Sequence, residues 1–431
     1  MERGEISMSE VRTDDYSSEA SGGFDHRRAM EEAARCLLCV DAPCSEGCPA
    51  NTDPGKFIRS IRFRNPKGAA ETIRENNPLG GVCAYVCPFG RLCEKACSRS
   101  GIDKPIKIGK LQRYAIEQEE AFGMSCGKPE ADTGFKVACV GSGPASIGCA
   151  AELAMSGVQV TVFEREDKPG GVLAYGITPA RLPQAVVDHD IDMVRSMGVK
   201  FECGSAVGDS LSVDGLFDQG FDAVFVGAGL WKAKAPDIPG LDLKNVYTAV
   251  EFLRSARMSG GFKAAEGKNV VVIGGGDVAM DCAATAKLSG AANVMIWYRR
   301  TIGEAPATMD EIKYVTELGV GLCQNFAPAS VEEAGGGLVA HFKGRDGASE
   351  ASAACDIVVF AIGQGPEDMT GPFGVGTDDK GFIKAGPQTD RQGVFAAGDA
   401  VYGGKTVVEA VAKGKEAGQA ILEYLNKKGV K

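Results

Sequence analysis

A strand leading into a glycine turn and then a helix occurs twice in this 431-residue chain, and no other feature limits its fold as strongly. In the first copy KVACV (136–140) runs into GSGPAS (141–146), the helical stretch AELAMSG and the strand VQVTVFE, which ends at Glu164. In the second, NVVVI (269–273) runs into GGGDVA (274–279), a helix reaching Leu288 and the strand NVMIWYRR, which ends at Arg300. Each is a βαβ unit, whose first turn holds a dinucleotide pyrophosphate against the amino end of a helix. Three further apolar strands, AVFVGAG (223–229), DIVVFAIG (356–363) and GVFAAGD (393–399), end in small residues, as strands do where they meet a cofactor. The pattern predicts an α/β protein with two Rossmann-like dinucleotide-binding domains, the second inserted in the first.

Ahead of these domains the texture differs. Of 15 Cys, eight fall between Cys36 and Cys97. The predicted organisation is a flexible tail (1–25), a mostly helical cysteine domain with its linker (26–134), a first nucleotide domain (135–249 and 364–431) and a second one (250–363). The charge balance, 47 Lys and Arg against 57 Asp and Glu, gives −10 and disfavours nucleic acid or anionic membrane as a partner through bulk charge. No uncharged apolar run approaches the ~18 residues of a membrane span. The amino terminus MERGEISMSE has no apolar core, so the expected location is cytoplasmic.

In a reducing cytosol, clustered cysteines indicate metal or redox chemistry and not disulfides. The first group is Cys36, Cys39, Cys44 and Cys48-Pro49; the second is Cys83, Cys87-Pro88, Cys93 and Cys97. Thiolates at such short intervals can wrap an iron–sulfur cluster, and in two-cluster ferredoxins one Cys of each run serves the other cluster. Two groups of four therefore predict two [4Fe-4S] clusters with crossed ligation. Structural zinc is the alternative, but it favours CxxC pairs or mixed Cys/His sets. Only one CxxC exists here, and no His lies between Cys36 and Cys97.

At the first turn, Gly141 permits the sharp bend and Gly143 lets pyrophosphate approach the backbone at Ser142, Pro144 and Ala145. Ser146 takes the third glycine position, which predicts slightly looser helix packing. Glu164 ends the next strand, where a carboxylate can accept from ribose hydroxyls. FAD is favoured over NAD here by the distant Gly398-Asp399, which can hold a ribityl chain, and by the helix expected from Thr406-Val407, whose amino end can face the flavin ring. A plain turn is the other reading of Asp399. At the second turn Gly274, Gly275, Gly276, Asp277 and Val278 repeat the design, but Arg299 and Arg300 stand where the first site has an acid. Arginine there accommodates a 2′-phosphate, which favours NADP(H) over NAD(H). The other reading of the pair is two solvated surface residues. Downstream of residue 127 no two Cys are close enough for a redox pair, and Cys139 and Cys149 read as small core residues. His26, His189 and His341 show no catalytic spacing. Hydride transfer needs stacking and orientation, so no side-chain acid or base is expected.

The segments RCLLCVDAPC, CPANTDPGKFIRSI, GAAETIRENNPLGGVCAYVCP, PIKIGKLQRYA, GSGPAS, GGVLAYGITPARLP, GGGDVAMDCA and VFAAGD resemble the electron-input half of dihydropyrimidine dehydrogenase. The likeness runs from about Glu31 to the carboxyl terminus, strongest to the separate NAD(P)H-oxidising bacterial subunit; the wider family includes the small subunit of glutamate synthase. The resemblance implies Cys36, Cys39, Cys44 and Cys97 for one cluster and Cys48, Cys87, Cys93 and Gln112 for the other, with Cys83 a bystander, whereas spacing alone makes all eight Cys ligands. It implies FAD contacts at Gly171, Val172, Arg181 and Val207, and nucleotide contacts at Ala361, Ile362 and Gly363. One departure weakens the NADP(H) reading: where the NADPH-preferring family enzyme has a further Arg, this chain continues Thr301, Ile302, Gly303, Glu304. With no pyrimidine-reducing barrel in the chain, the resemblance implies a separate FMN-containing catalytic subunit and a hetero-oligomer that reduces uracil or thymine. The rivals are the same module serving glutamate synthase or an electron-bifurcating complex, and an electron-relay scaffold with an idle nucleotide site.

Overall fold

The computed structural model describes residues 15–124, 127–208 and 211–429. These divide into two compact units. One contains residues 15–20, 178–180 and 234–363; the other contains 21–177, 181–233 and 364–429.

The larger unit is built on a five-stranded parallel sheet. Its order is Val394–Ala396, Ala223–Val226, Lys136–Val140, Gln159–Glu164, Lys200–Cys203. The first strand in sequence lies at the centre, with the chain winding outward to either side, so the order reverses at its carboxyl end, where ligands bind in such folds. Helix Pro144–Met155 covers the sheet and is itself crossed by the carboxy-terminal helix Val407–Gly429. The crossing is tight because small residues line it: a Cβ on Gly148 would lie 2.6 Å from the Val411 carbonyl.

The cysteine segment is helical, as its periodicity predicts. Helices His26–Ala34, Pro54–Arg62, Pro66–Asn76, Gly80–Val86 and Ile108–Ala121 enclose a core of Phe57, Ile58, Ile73, Ile106 and Leu111. Asp53 and Asn65 cap the second and third of these helices, each ahead of a proline in the first turn. Leu79 and Val82 leave this core and pack with Ile147, Cys149 and Leu153 under the flavin-type sheet. The cysteine segment keeps its own core but, through Leu79 and Val82, also joins the core of the first nucleotide domain, and the two fall in one compact unit.

The smaller unit has its own five-stranded parallel sheet, ordered Val246–Thr248, Ile357–Phe360, Asn269–Ile273, Asn293–Tyr298, Gly321–Gln324. Helix Asp277–Leu288 covers it. A three-stranded antiparallel meander, Phe326–Ala334, Gly337–Gly344 and Glu350–Cys355, connects the fourth and fifth strands of its chain order. Trp297 stacks on Phe342 of that meander, with ring centroids 4.0 Å apart. The unit starts at residue 234 and not at 250, because the three-residue strand Val246–Thr248 pairs with Ile357–Phe360. Residues 1–14 of the segment read as a flexible tail lie outside the described residues. Residues 15–20 differ from that reading: Tyr16 is buried in this unit's core beside Phe252, Ala256 and Met280, and the Ala20 amide donates to Ala180 O at 2.8 Å.

Candidate functional site

At the carboxyl end of Lys136–Val140, Gly141 turns with φ 82°, and a Cβ there would come within 2.8 Å of the Gly227 carbonyl. Only glycine meets both demands. Gly143 caps helix Pro144–Met155, and no atom lies within 4 Å of where its Cβ would be. That open space, at the positive end of a helix dipole, fits a pyrophosphate. Gly171 closes it from the far side, its Cβ position 3.0 Å from the Gly143 Cα. Ser146 is fully buried and faces Gly227, which has no side chain to displace it. The loose packing expected at the third position is therefore absent.

Glu164 is buried at the end of its strand. Its carboxylate accepts the Ser142 amide at 2.9 Å, the Ser142 hydroxyl, and the Glu166 amide at 2.9 Å. A carboxylate offers about four acceptor positions, so one remains for a ribose hydroxyl. The third element follows the edge strand Val394–Ala396, which pairs with Ala223–Val226. Gly398 lies against Ala145, its Cβ position 2.7 Å from the Ala145 Cβ. Asp399 follows. Burial pushes its carboxyl up to about 6; the Lys405 amide (3.2 Å) opposes the shift and the Glu409 charge adds to it. Thr406 and Glu409 form a capping box that opens helix Val407–Gly429 beside this acid. Val172 is partly exposed next to Gly171, Val207 packs with Val140 and Phe163, and Arg181 is half-buried where the chain re-enters this unit. The donors and acceptors for a dinucleotide thus surround one strand end.

The second turn has the same construction in the smaller unit. Gly276 caps helix Asp277–Leu288, and again nothing lies within 4 Å of its Cβ position. Gly275 lies on the Tyr298 ring, 2.5 Å from Cδ2 to a built Cβ. Ala361 follows strand Ile357–Phe360 and its amide donates to Ile273 O at 2.8 Å, which sets Ala361, Ile362 and Gly363 beside Gly274. Val278 packs into the core below the turn. Arg299 and Arg300 are exposed, and among the described residues neither pairs with a carboxylate. Glu304 binds the Thr301 amide (3.1 Å) and hydroxyl (2.8 Å) and pairs with Arg345 at 2.7 Å, which holds its carboxyl down to about 2.

The cysteines sort across the two sequence groups. Cys36 faces Cys97 and Cys39, and Cys44 faces Cys97 and Cys36. Cys87 donates to or accepts from Cys83 and faces Cys48 and Cys93; Cys93 faces Cys48 and also feels Cys44 of the first set. Burial pushes the Cys44 thiol up to about 11 and raises Cys36 and Cys93 as well. Among the described residues no three His, Cys, Asp or Glu converge on a single metal ion. The loop carrying the first group holds Leu38, Asp41 and Asn51 at φ 52°, 51° and 56°, a left-handed conformation costly to ordinary residues. Such strain accumulates where a loop is shaped around a ligand. Soft sulfur donors in two partly buried sets, one residue exchanged between the runs, fit cubane clusters. Gln112 is buried, and its amide nitrogen donates to Gly80 O at 2.7 Å, at the start of the helix that leads into Cys87. Cys83 is also buried there, against Ala50 and Val408.

Residues 12–124 match the family described as dihydropyrimidine dehydrogenase domain II, 4Fe-4S cluster, and residues 135–414 match pyridine nucleotide-disulphide oxidoreductase. The NAD-dependent dihydropyrimidine dehydrogenase subunit PreT of Escherichia coli is 44% identical over 95% of this chain and 97% of its own. The glutamate synthase [NADPH] small chain of Escherichia coli is 33% identical over 93% of this chain and 92% of its own. The chain belongs to the family of NAD(P)H-oxidising FAD and iron–sulfur subunits that contains both. Mycobacterium tuberculosis FprA in complex with NADPH shares the reductase fold at a TM-score of 0.57 and 17% identity, covering 69% of this chain and 86% of its own. Membership makes the chain an oxidoreductase that uses FAD, iron–sulfur and NAD(P)H for electron input, and its relatives are named as parts of larger enzymes. No helix among the described residues is long and apolar enough to cross a membrane.

Three features escaped the sequence reading. The Ser146–Gly227 pairing joins a residue of helix Pro144–Met155 to one that follows the distant strand Ala223–Val226. Tyr16 is one aromatic in a polar stretch. Arg74, Glu119 and Asp190 look like ordinary surface charges but are at most 5% exposed.

Proposed function

We propose that this chain is the electron-input subunit of a two-part dihydropyrimidine dehydrogenase. It takes reducing equivalents from NAD(P)H and delivers them to an FMN-containing subunit that reduces uracil or thymine to the 5,6-dihydro base. When bound, FAD accepts hydride and releases single electrons, which iron–sulfur clusters carry outward.

The protein's own residues supply the binding and the orientation. The Gly143 and Ala145 amides and the amino end of helix Val407–Gly429 receive the flavin nucleotide, with Glu164 and Asp399 as hydroxyl acceptors. Gly274–Val278 and Ala361–Gly363 receive the nicotinamide nucleotide. Cys36, Cys39, Cys44 and Cys97 hold one cluster; Cys48, Cys87, Cys93 and Gln112 hold the other. The observation carrying this reading is the packing of Leu79 and Val82, at the start of the helix that leads into Cys87, with Ile147 and Leu153 of helix Pro144–Met155. Cluster and flavin sites then belong to one compact unit, which keeps them close enough for electron transfer.

NADH is the proposed physiological donor. The PreT relative at 44% identity is named NAD-dependent, and just beyond the Arg299–Arg300 pair stands Glu304, an acid paired with Arg345, where a 2′-phosphate would need a cation. The partner is tested by isolating the native complex anaerobically and identifying the chain that co-purifies. NADH-dependent uracil reduction by that complex is the expected result; co-purification with a glutamate synthase large subunit would favour the rival. Replacing Gln112 and Cys83 separately by Ala and counting iron tests the eighth ligand: loss is expected only with Gln112.

A further inference from the structure

Behind the second cysteine set lies a buried ionic group that belongs to neither nucleotide site. Arg74, on helix Pro66–Asn76, is 5% exposed; Glu119, on helix Ile108–Ala121, is 1% exposed; Asp190, on helix Gln184–Ser196, is completely buried. Arg74 Nε donates to both Glu119 oxygens at 3.1 and 3.0 Å, and its Nη1 donates to Asp190 Oδ1 at 2.6 Å and to Pro78 O at 2.7 Å. His189 Nε2 meets Glu119 at 3.2 Å. Burial opposes the Arg74 charge, and the two carboxylates more than offset it, so its pKa lies above the ordinary value.

Asp190 does more than pair with Arg74. Its oxygens accept the Gly81 amide at 3.3 Å and the Val82 amide at 2.7 Å. These are the opening amides of helix Gly80–Val86, which has no side-chain cap of its own. Asp190 therefore caps, from another helix, the element that carries Cys83 and leads directly into Cys87. The same turn is gripped from its other side, because Gly80 O accepts from Gln112 Nε2 at 2.7 Å. A carbonyl can only accept, so the amide nitrogen must face Gly80 and the amide oxygen is the end left to bind iron. Packing alone would not need ions here, since apolar residues of similar size usually stabilise a core as well or better.

We propose that Asp190 is a positioning residue for the second cluster: by fixing the Gly80–Val82 turn it sets where Cys87 and the Gln112 amide oxygen meet the metal. The assignment rests on the ligand set proposed above. Burial raises the Asp190 carboxyl above its ordinary value and the Arg74 charge opposes that shift, while Glu119 pairs with the other side of the guanidinium.

Three variants of the full-length protein, purified anaerobically with cofactors, separate positioning from general packing. Asp190→Asn weakens the cap while leaving Arg74 paired with Glu119. Gly81→Ala attacks the same contact with every charge intact, since its Cβ would lie 2.7 Å from Asp190 Oδ1. Glu119→Gln disturbs the ionic group without touching the turn. Iron per chain, the electron paramagnetic resonance spectrum of the reduced protein and the cluster midpoint potentials are the readouts. Asp190→Asn and Gly81→Ala are expected to lose about half the iron, or to alter the signal and potential of one cluster and spare the other. Glu119→Gln is expected to keep the wild-type spectrum even if it melts earlier. Equal spectral change in all three, or none in Asp190→Asn and Gly81→Ala, would overturn the proposal. A wild-type protein holding only about four irons would instead overturn the ligand assignment, independently of Asp190.

Discussion

Asp399 offers a substitution whose effects on stability and cofactor binding have opposite signs. Its carboxyl moves from an ordinary 3.8 to about 6, chiefly through burial. That difference corresponds to about 3 kcal/mol of disfavoured charge in the flavin-free protein at neutral pH. The folded state binds this proton more tightly than the unfolded state does. Stability of the flavin-free protein must therefore fall as pH rises from about 4 to about 6, and the full cost persists above that window. Asp399→Asn removes the charge and keeps an acceptor for the Lys405 amide. Its flavin-free form should be more stable at pH 7.5, by up to about 3 kcal/mol, and should lack the part of the slope between pH 4 and 6 that Asp399 contributes. FAD binding should weaken, because a hydroxyl donating to an ionised acceptor is worth about 1.5–3 kcal/mol, or about 10- to 150-fold in Kd. Urea unfolding of stripped protein across pH, with flavin fluorescence titration, reads both. A variant that is less stable when stripped, or that binds FAD as wild type does, would refute the role assigned to this acid.

The glycines in open space give a second pair of tests. Gly143 and Gly276 have negative φ and nothing near their Cβ positions, so Ala should be neutral or slightly stabilising, by about 0.4–1 kcal/mol in thermal or urea unfolding. Gly143→Ala should nevertheless emerge short of flavin, whereas Gly276→Ala should keep its flavin and need at least about ten-fold more NADH to bleach it, as expected where a ligand must reach the backbone. Replacing Arg299 and Arg300 by Ala should raise KM for NADPH and leave that for NADH unchanged, while Glu304→Gln should improve NADPH use in the same steady-state assay. His189 is raised above its ordinary 6.5, chiefly by its hydrogen bond to Glu119. Its contribution to stability is complete below pH 6.5 and lost as pH climbs through the raised value, so His189→Gln should flatten urea midpoints in that interval.

The parts of the fold legible in the sequence were those set by local rules. A strand, a glycine turn and a helix announce themselves over some thirty residues, and the cysteine runs carry their chemistry in their spacing. The neighbouring of Cys97 with Cys36 and of Cys48 with Cys87 was foreseeable because crossed ligation belongs to paired runs of this kind. What was not legible depends on residues far apart in the chain. Asp190 reads as one more acid on an amphipathic helix until Arg74 and Val82 are brought to it. Strand Val246–Thr248 is too short to declare itself without its partner Ile357–Phe360. Tyr16 shows no periodicity, so only its burial in the cluster that includes Phe252 and Met280 reveals why an aromatic stands in a polar stretch.

The central claim is that nicotinamide oxidation and iron–sulfur reduction are linked within this single polypeptide. Anaerobic addition of NADH to purified protein, followed by flavin absorbance and low-temperature magnetic resonance on the same sample, tests it most directly. The expected result is loss of the yellow band together with reduced-cluster signals, from protein holding one FAD and about eight irons per chain. Bleached flavin with silent clusters, or a flavin that NADH leaves oxidised, would contradict it.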